Sequence, residues 1–252
     1  MKIIFIGDIV GKPGRKIIKT HLPEIIEKYE PDLIIANGEN AAGGKGLSQK
    51  ASDELFEAGI DILTMGNHVW DKKEILNFIE GDDRIVRPAN YPTGTPGKGY
   101  TKVTIEGKTL LIVNISGLVY MPPLSCPFKC IDEMLASNDY DYSLLDFHAE
   151  ATSEKIAMGW YLDGKVNAVV GTHTHVQTAD HRALDKGTLY ISDVGMTGPY
   201  NAILGVKKED VINKFITKMP TRFNVEPNGP KQLNAVFLDL KAKYISPIQI
   251  VD

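Results

Sequence analysis

Gly171-Thr172-His173-Thr174-His175 sets two imidazoles at i and i+2 directly behind the apolar residues Val166, Ala168, Val169 and Val170. Neutral imidazole is the commonest protein metal ligand. A buried strand that leaves its sheet at a glycine can aim both rings, through a tight irregular turn, at one point beyond the strand end. An isolated His-x-His is more often a pair of surface or packed histidines. Here three other apolar runs also end in polar clusters that packing does not require: Gly7-Asp8, Asn37-Gly38-Glu39-Asn40 and Gly66-Asn67-His68. His148 closes a further run, Tyr142 to Phe147. Asp8, Glu39, Asn40, Asn67, His68, His148, His173 and His175 together offer carboxylate oxygen, amide carbonyl and imidazole nitrogen, which suit manganese, iron or zinc. No thiolate joins them, which argues against a cysteine-built structural zinc site. The donors are too many for one ion and suit two, about 3.5–4 Å apart, of the kind that clamps a phosphoryl group during in-line displacement.

Each residue has an ordinary reading when taken alone. Asp8 could cap a turn, Glu39-Asn40 could be turn chemistry, Asn67 an Asx-turn, and His68 and His148 satisfied structural histidines. Their joint placement at one edge of one sheet favours a metal site.

The elements that must position them follow from periodicity. Lys2 to Gly7 is a continuous apolar run stopped by glycine, the pattern of a buried strand. Pro13 lies near the start of a helix running to about Tyr29. Leu33 to Ala36 is a second strand, followed by a loop with Gly43, Gly44 and Gly46. Ser48 is the candidate N-cap of a helix reaching Ala58, Ile60 to Met65 a third strand, and Lys72 to Glu80 a helix. This βαβαβ rhythm predicts a parallel sheet with ligands at the carboxyl ends of its strands. Proline and glycine make 84–100 irregular. Thr101 to Ile105 and Thr109 to Ile115 flank a hairpin turn. Helices are expected over 127–137, Thr152 to Leu162 and Asp210 to Lys218, and strands over Tyr142 to Phe147, 166–170 and Thr188 to Ser192. Gln232 to Leu240 and Lys243 to Ile250 form a closing hairpin. No repeat or linker divides the chain. The expected fold is a single α/β domain, residues 1–252, with two β-sheets flanked by α-helices.

The 252 residues are 43% hydrophobic and 24% charged, enough for a large core. A formal net charge of -4 argues against duplex-DNA or membrane-surface binding, while bound cations would still admit a small anionic substrate. Cys126 and Cys130 lie four apart with no second pair to complete a zinc site. They are expected to be reduced structural thiols of a cytoplasmic protein. The N-terminus lacks the cleavage site of a signal peptide, and no run approaches the ~20 residues that span a bilayer.

In this order the polar clusters resemble the calcineurin-like metallophosphoesterase superfamily. Its motifs are an Asp after the first strand, a bridging acid after the second, Gly-Asn-His after the third, a lone His, and then Gly-His-x-His. The chain departs at Asp8-Ile9-Val10, where the superfamily has Asp-x-His, and at Gly38-Glu39-Asn40, where it has Gly-Asp. These departures are marks of a bacterial YmdB-like branch. So are Gly44-Lys45-Gly46-Leu47, the stretch from Phe147 to Lys155, and Ser192-Asp193-Val194-Gly195-Met196-Thr197-Gly198. The resemblance spans essentially the whole chain. It implies a metallophosphoesterase-like sandwich, two divalent or trivalent transition-metal ions (iron or manganese ahead of zinc), and phosphodiesterase activity, with 2′,3′-cyclic nucleotides as the suspected substrate. It also implies that one ion takes Asp8, Glu39, Asn40 and His175. The second takes Glu39, Asn67, His148 and His173, with Glu39 bridging. Asn40 is the candidate replacement for the missing first-motif histidine. His68 is implied to donate a proton to the leaving oxygen, and a metal-bridging hydroxide is the implied nucleophile.

Two rival functions stand beside this one: a phosphomonoesterase or nucleotidase on the same metals, and a regulatory protein that binds metal and nucleotide with little turnover. A homo-oligomer is left open. His21 and His181 are left outside the site. Gly11 to Arg15 lacks the Walker pattern and reads as an ordinary turn rather than a phosphate loop. Segments 84–100 and 116–127 are candidates to line the cleft, with Tyr91 or Tyr120 available to stack on a base.

Overall fold

Strands buried on both faces must send alternate residues into two different cores, and the first strand does so. In β1 (Lys2–Ile6), Ile3 and Phe5 enter one apolar cluster while Ile4 and Ile6 enter another. A computed structural model, describing residues 1–252, explains why. Two sheets stack face to face around the cluster holding Ile3 and Phe5, and helices cover their outer faces.

The first sheet is eight-stranded. Its parallel part joins β1 to β3 (Leu33–Asn37), β4 (Ile62–Thr64) and β5 (Ile85–Val86). On the other side of β1 the neighbouring strand is antiparallel, which the βαβ pattern alone did not predict. There β13 (Lys231–Asp239) pairs Ile3 with Leu238 and Ile6 with Ala235. Its hairpin partner is β14 (Tyr244–Val251). Beyond β13 lie β12 (Met196–Pro199) and the two-residue β2 (Asp8–Ile9), paired in parallel through Met196 and Asp8. Helices α1 (Gly11–Tyr29) and α2 (Gln49–Glu57) cover this sheet through Ile17, Ile18, Leu22 and Leu55. Ser48 caps α2 by accepting from the Ala51 amide at 3.2 Å, as its residue type predicts.

The second sheet is six-stranded. It comprises β6 (Tyr100–Ile105), β7 (Lys108–Ser116), β8 (Tyr142–His148), β9 (Ala168–Thr172), β10 (Arg182–Ala183) and β11 (Leu189–Ile191). Only β6–β7 and β10–β11 are antiparallel pairs. Its outer face packs on α3 (Pro127–Ala136) and α4 (Thr152–Leu162) through Leu145, Val169, Ile131 and Met158. Helix α5 (Lys208–Thr217) buries only Val211. No helix is long and apolar enough to cross a membrane.

Three expectations need correction. The helix expected over Lys72 to Glu80 is a single 3₁₀ segment, Lys73–Asn77, because only Ile75 and Ile79 are fully buried and no continuous apolar stripe exists to hold a longer helix. The irregular stretch 84–100 contributes a strand, β5, whose residues Ile85 and Val86 pair with Leu63 and Thr64. The polar clusters do not share one sheet edge. Asp8, Glu39, Asn40, Asn67 and His68 leave the first sheet, whereas His148, His173 and His175 leave the second. The site therefore lies where the carboxyl ends of strands from both layers meet.

Candidate metal centre

The donors converge on a buried centre. His148 ends β8 fully buried, and its Nε2 lies 3.1 Å from Glu39 Oε1, 3.0 Å from Asn67 Oδ1 and 3.0 Å from His173 Nδ1. Glu39, His148 and His173 keep one donor atom each within 4.8 Å of the others. Beside them stand Asp8, Asn40 and His175. The Asn40 amide is 3.2 Å from Glu39 Oε1 and 3.3 Å from His175 Nε2, which is itself 3.8 Å from Asp8 Oδ1. The Asn40 nitrogen faces these groups, so that side chain must rotate its amide to offer oxygen to a cation. His68 adjoins the cluster through its backbone, donating to Glu39 Oε2 at 2.9 Å. Its ring Nδ1 lies 3.0 Å from Asp71 Oδ2.

The hydrogen bonds around the three rings select which nitrogen stays free. Thr172 spends its hydroxyl hydrogen on Asp146 at 2.7 Å, so it accepts from His148 Nδ1 at 2.9 Å. Glu150 Oε2 lies 3.2 Å from His173 Nε2, and the Leu204 carbonyl accepts from His175 Nδ1 at 3.3 Å. His148 and His175 thus donate outward, His173 sets Nε2 beside the Glu150 carboxylate, and each ring turns its other nitrogen toward the cluster, as ligating histidines do.

Two further observations test the fit to metal. Asp8 Oδ2 accepts from the His173 amide at 3.1 Å, whereas Asp8 Oδ1 is buried with no partner. An orphaned buried acceptor costs about 1–3 kcal/mol, and a cation there would remove that cost. Gly66 is also required: a Cβ at this position would overlap His148 Nε2 and Glu39 Oε2. The donor set, the orphaned Asp8 oxygen and the missing side chain at Gly66 all fit a cation.

Electrostatics point the same way. Burial, with Glu39 adding repulsion and His148 opposing, raises the Asp8 carboxyl well above its ordinary range. Burial also works to raise Glu39, but the His148 charge overrides it and holds Glu39 at about 2. Burial works to lower His148, and the Glu39 carboxylate overrides it, lifting that ring to about 9. Burial and the His148 charge push His173 down to about 3, and burial lowers His175. Without a metal ion, protonated His148 supplies the positive charge that the carboxylates demand.

The turn that carries His173 and His175 is strained and clamped. Both residues have positive φ, 103° and 68°. Non-glycine residues persist there only when the surroundings over-determine them. Asp193 Oδ2 accepts from the Thr174 amide at 2.9 Å and the Thr174 hydroxyl at 2.8 Å, fixing the residue between the two histidines. Lys155 from α4 completes the clamp, donating to Asp193 at 2.7 Å and to the Thr172 carbonyl at 2.8 Å.

The sequence reading left out Glu150, Asp71, Asp146, Leu204 and the Lys155–Asp193 pair. Glu150, Lys155 and Asp193 fall inside stretches already noted as similar to the YmdB-like branch, which was the available signal. Leu204 acts through its carbonyl, which residue type does not reveal. His21 is remote, 3.3 Å from Asp252. Gly11 to Arg15, expected as an ordinary turn, instead forms the start of α1, where Arg15 is held by Glu54 at 2.6 Å and by the Ala41 carbonyl. Tyr91 packs edge-on against Trp70 at 5.9 Å, and Tyr120 is 89% exposed.

Two stacked sheets flanked by helices, with imidazole, carboxylate and amide donors meeting at their strand ends, define a calcineurin-like metallophosphoesterase. The family model described as YmdB-like protein matches residues 4–251, and the chain belongs to that family. It is 54% identical over 242 residues to a 2′,3′-cyclic-nucleotide 2′-phosphodiesterase of Bacillus subtilis, covering 95% of this chain and 91% of the relative. A crystal structure of a hypothetical protein from Thermus thermophilus superposes with a TM-score of 0.96 at 45% identity, covering 100% of both chains. A phosphatase structure from Mycoplasma pneumoniae gives 0.94 at 40% identity, over 100% of this chain and 93% of the other.

Proposed function

We propose that the chain is a metal-dependent phosphodiesterase that opens 2′,3′-cyclic nucleotides at the 2′-oxygen. One observation carries the metal reading: the partnerless, buried Asp8 Oδ1 beside a cluster into which three imidazoles each turn one ring nitrogen. The relative's named activity supports the substrate class. In this reading the site holds two ions, iron or manganese, on Asp8, Glu39, Asn40 and His175 and on Glu39, Asn67, His148 and His173. When bound, such ions polarise a phosphoryl oxygen and lower the pKa of water toward neutrality, supplying a hydroxide nucleophile. The chain's own residues do the remainder. Asp71 accepts from His68 Nδ1 and so fixes the ring, leaving Nε2 to carry the transferable proton. Attack at phosphorus breaks the P–O2′ bond, the 2′-oxygen takes the His68 proton, and a 3′-phosphomonoester leaves. Residues 1–252 act as one domain, because ligands from both sheets are needed. The free thiols Cys126 and Cys130 suit a reducing cytoplasm.

Steady-state hydrolysis of 2′,3′-cyclic AMP is compared with that of the matching nucleoside monophosphates, on protein whose metal content is measured. The expected result is two equivalents of transition metal, diester preference and 3′-AMP as product. His68→Ala keeps its metal and loses turnover by about two orders of magnitude. Monoester preference selects the nucleotidase reading instead. A wild type inert with every divalent metal selects the regulator.

A further inference from the structure

A cavity of about 300 Å³ opens beside His175, at the lower end of the ~300–1,000 Å³ range of small-molecule sites. Its apolar lining comes from Leu204, Val206, Phe223 and Val225, and Lys45 and Lys72 line it as well. The segment bearing Phe223 is fixed although its ring is open. Val206 pairs with Val225, Lys207 donates to the Asn224 carbonyl at 2.9 Å, and Asn224 donates twice to Asp210 at 3.0 and 2.9 Å. Val225 seats against Gly44, where a Cβ would stand 2.6 Å from its methyl. Phe223 itself is 48% exposed. An aromatic ring left open to solvent on a pinned backbone beside a metal centre is the arrangement that stacks a base at small entropic cost. Neither Tyr91 nor Tyr120 lines this cavity.

We propose that Phe223 is the platform on which the substrate's nucleobase stacks, with Leu204, Val206 and Val225 as the apolar wall around it. The inference rests on the cyclic-nucleotide reading and adds to it the residue that reads the base. The site has one consequence for geometry. Leu204 both lines the cavity and orients the His175 ring through its carbonyl, so a bound base abuts the residue that steadies a proposed ligand.

The experiment compares wild type with Phe223→Ala and Phe223→Trp on 2′,3′-cyclic AMP, 2′,3′-cyclic UMP and base-free ribose 2,3-cyclic phosphate. Stacking is lost in Phe223→Ala, so KM for the adenine substrate rises about tenfold to a hundredfold, and less for uracil. The value of kcat and the constants for the base-free substrate stay within twofold, and Phe223→Trp restores KM. Equal loss on the base-free substrate, or no change with adenine, overturns the proposal. Calorimetric binding of 3′-AMP and ribose 3-phosphate separates this from failure of the diesterase reading. If wild type turns over nothing, selective weakening of 3′-AMP by Phe223→Ala still upholds the platform, and equal affinities reject it.

Discussion

Lys155→Met removes the ammonium from a buried pair while keeping the apolar stem that packs in α4. Lys155 and Asp193 have side chains only 2% and 1% exposed, 2.7 Å apart. Breaking such a pair from one side leaves a buried charge and costs about 3–5 kcal/mol. Asp193 keeps three donors after the change, the Thr174 amide and hydroxyl and the Gly195 amide, so the lower end of that range applies. A loss of about 3 kcal/mol in a chain of this size lowers Tm by roughly 6–12 °C. Asp193→Asn strands the ammonium instead and should cost a similar amount. The double variant removes both charges, so it should lose less than the sum of the singles, with a coupling energy of about 2 kcal/mol. Urea denaturation of the four proteins measures this. A second readout follows from the turn itself. Without the ammonium's bonds to Asp193 and to the Thr172 carbonyl, the turn around His173 and His175 loosens, and metal affinity falls by about tenfold to a hundredfold. Additive single losses, within about 0.5 kcal/mol, together with unchanged metal affinity would refute the clamp.

Three other outcomes follow from the same geometry. Glu150→Ala removes the carboxylate 3.2 Å from His173 Nε2, so metal affinity measured by competition with a chelator should fall about tenfold or more while Tm of the apoprotein barely moves. Metal loading near pH 7 should release protons, because His148, held at about 9 by Glu39 against its burial, must give up a proton to ligate. Apparent affinity therefore falls as pH drops from about 9, and buffer-dependent calorimetric enthalpies report the protons. Burial pushes the Cys130 thiol up to about 11, leaving about one thiolate in a thousand at pH 8. One thiol, Cys126, should then react quickly with a disulfide reagent in native protein, and Cys130 should follow only on unfolding or as pH rises toward 11.

The sequence made legible whatever a local pattern encodes. The runs that became β1 and β3 could be read because strands buried on both faces are nearly continuously apolar. Ser48 could be read as a cap because its oxygen replaces a backbone partner at a defined position. Pairing between distant segments was hidden. Nothing near Ala235 announces that β13 will lie antiparallel beside Ile6, so the mixed sheet and the division of the site between two layers emerged only in three dimensions. The eight proposed site residues were found because ordered polar clusters at strand ends have no packing purpose. Their supports were missed for a physical reason: a carboxylate such as Glu150, half-exposed at 48%, has the same type and exposure as any surface acid.

The strain in the His173–His175 turn has an implication for how this site was solved by the fold. Holding two non-glycine residues at positive φ costs of order 1–3 kcal/mol each, and the Asp8 orphan adds about 1–3 kcal/mol. A chain stable by only ~5–15 kcal/mol cannot carry such costs at random. They are concentrated at one point, where the Lys155–Asp193 clamp, the Thr172–Asp146 bond and the Gly66 gap all over-determine the geometry. Rigid support of this kind sets lone pairs before any ion arrives, so binding need not order the ligands. The costly backbone and the costly charge coincide at the one cluster whose donors fit a cation.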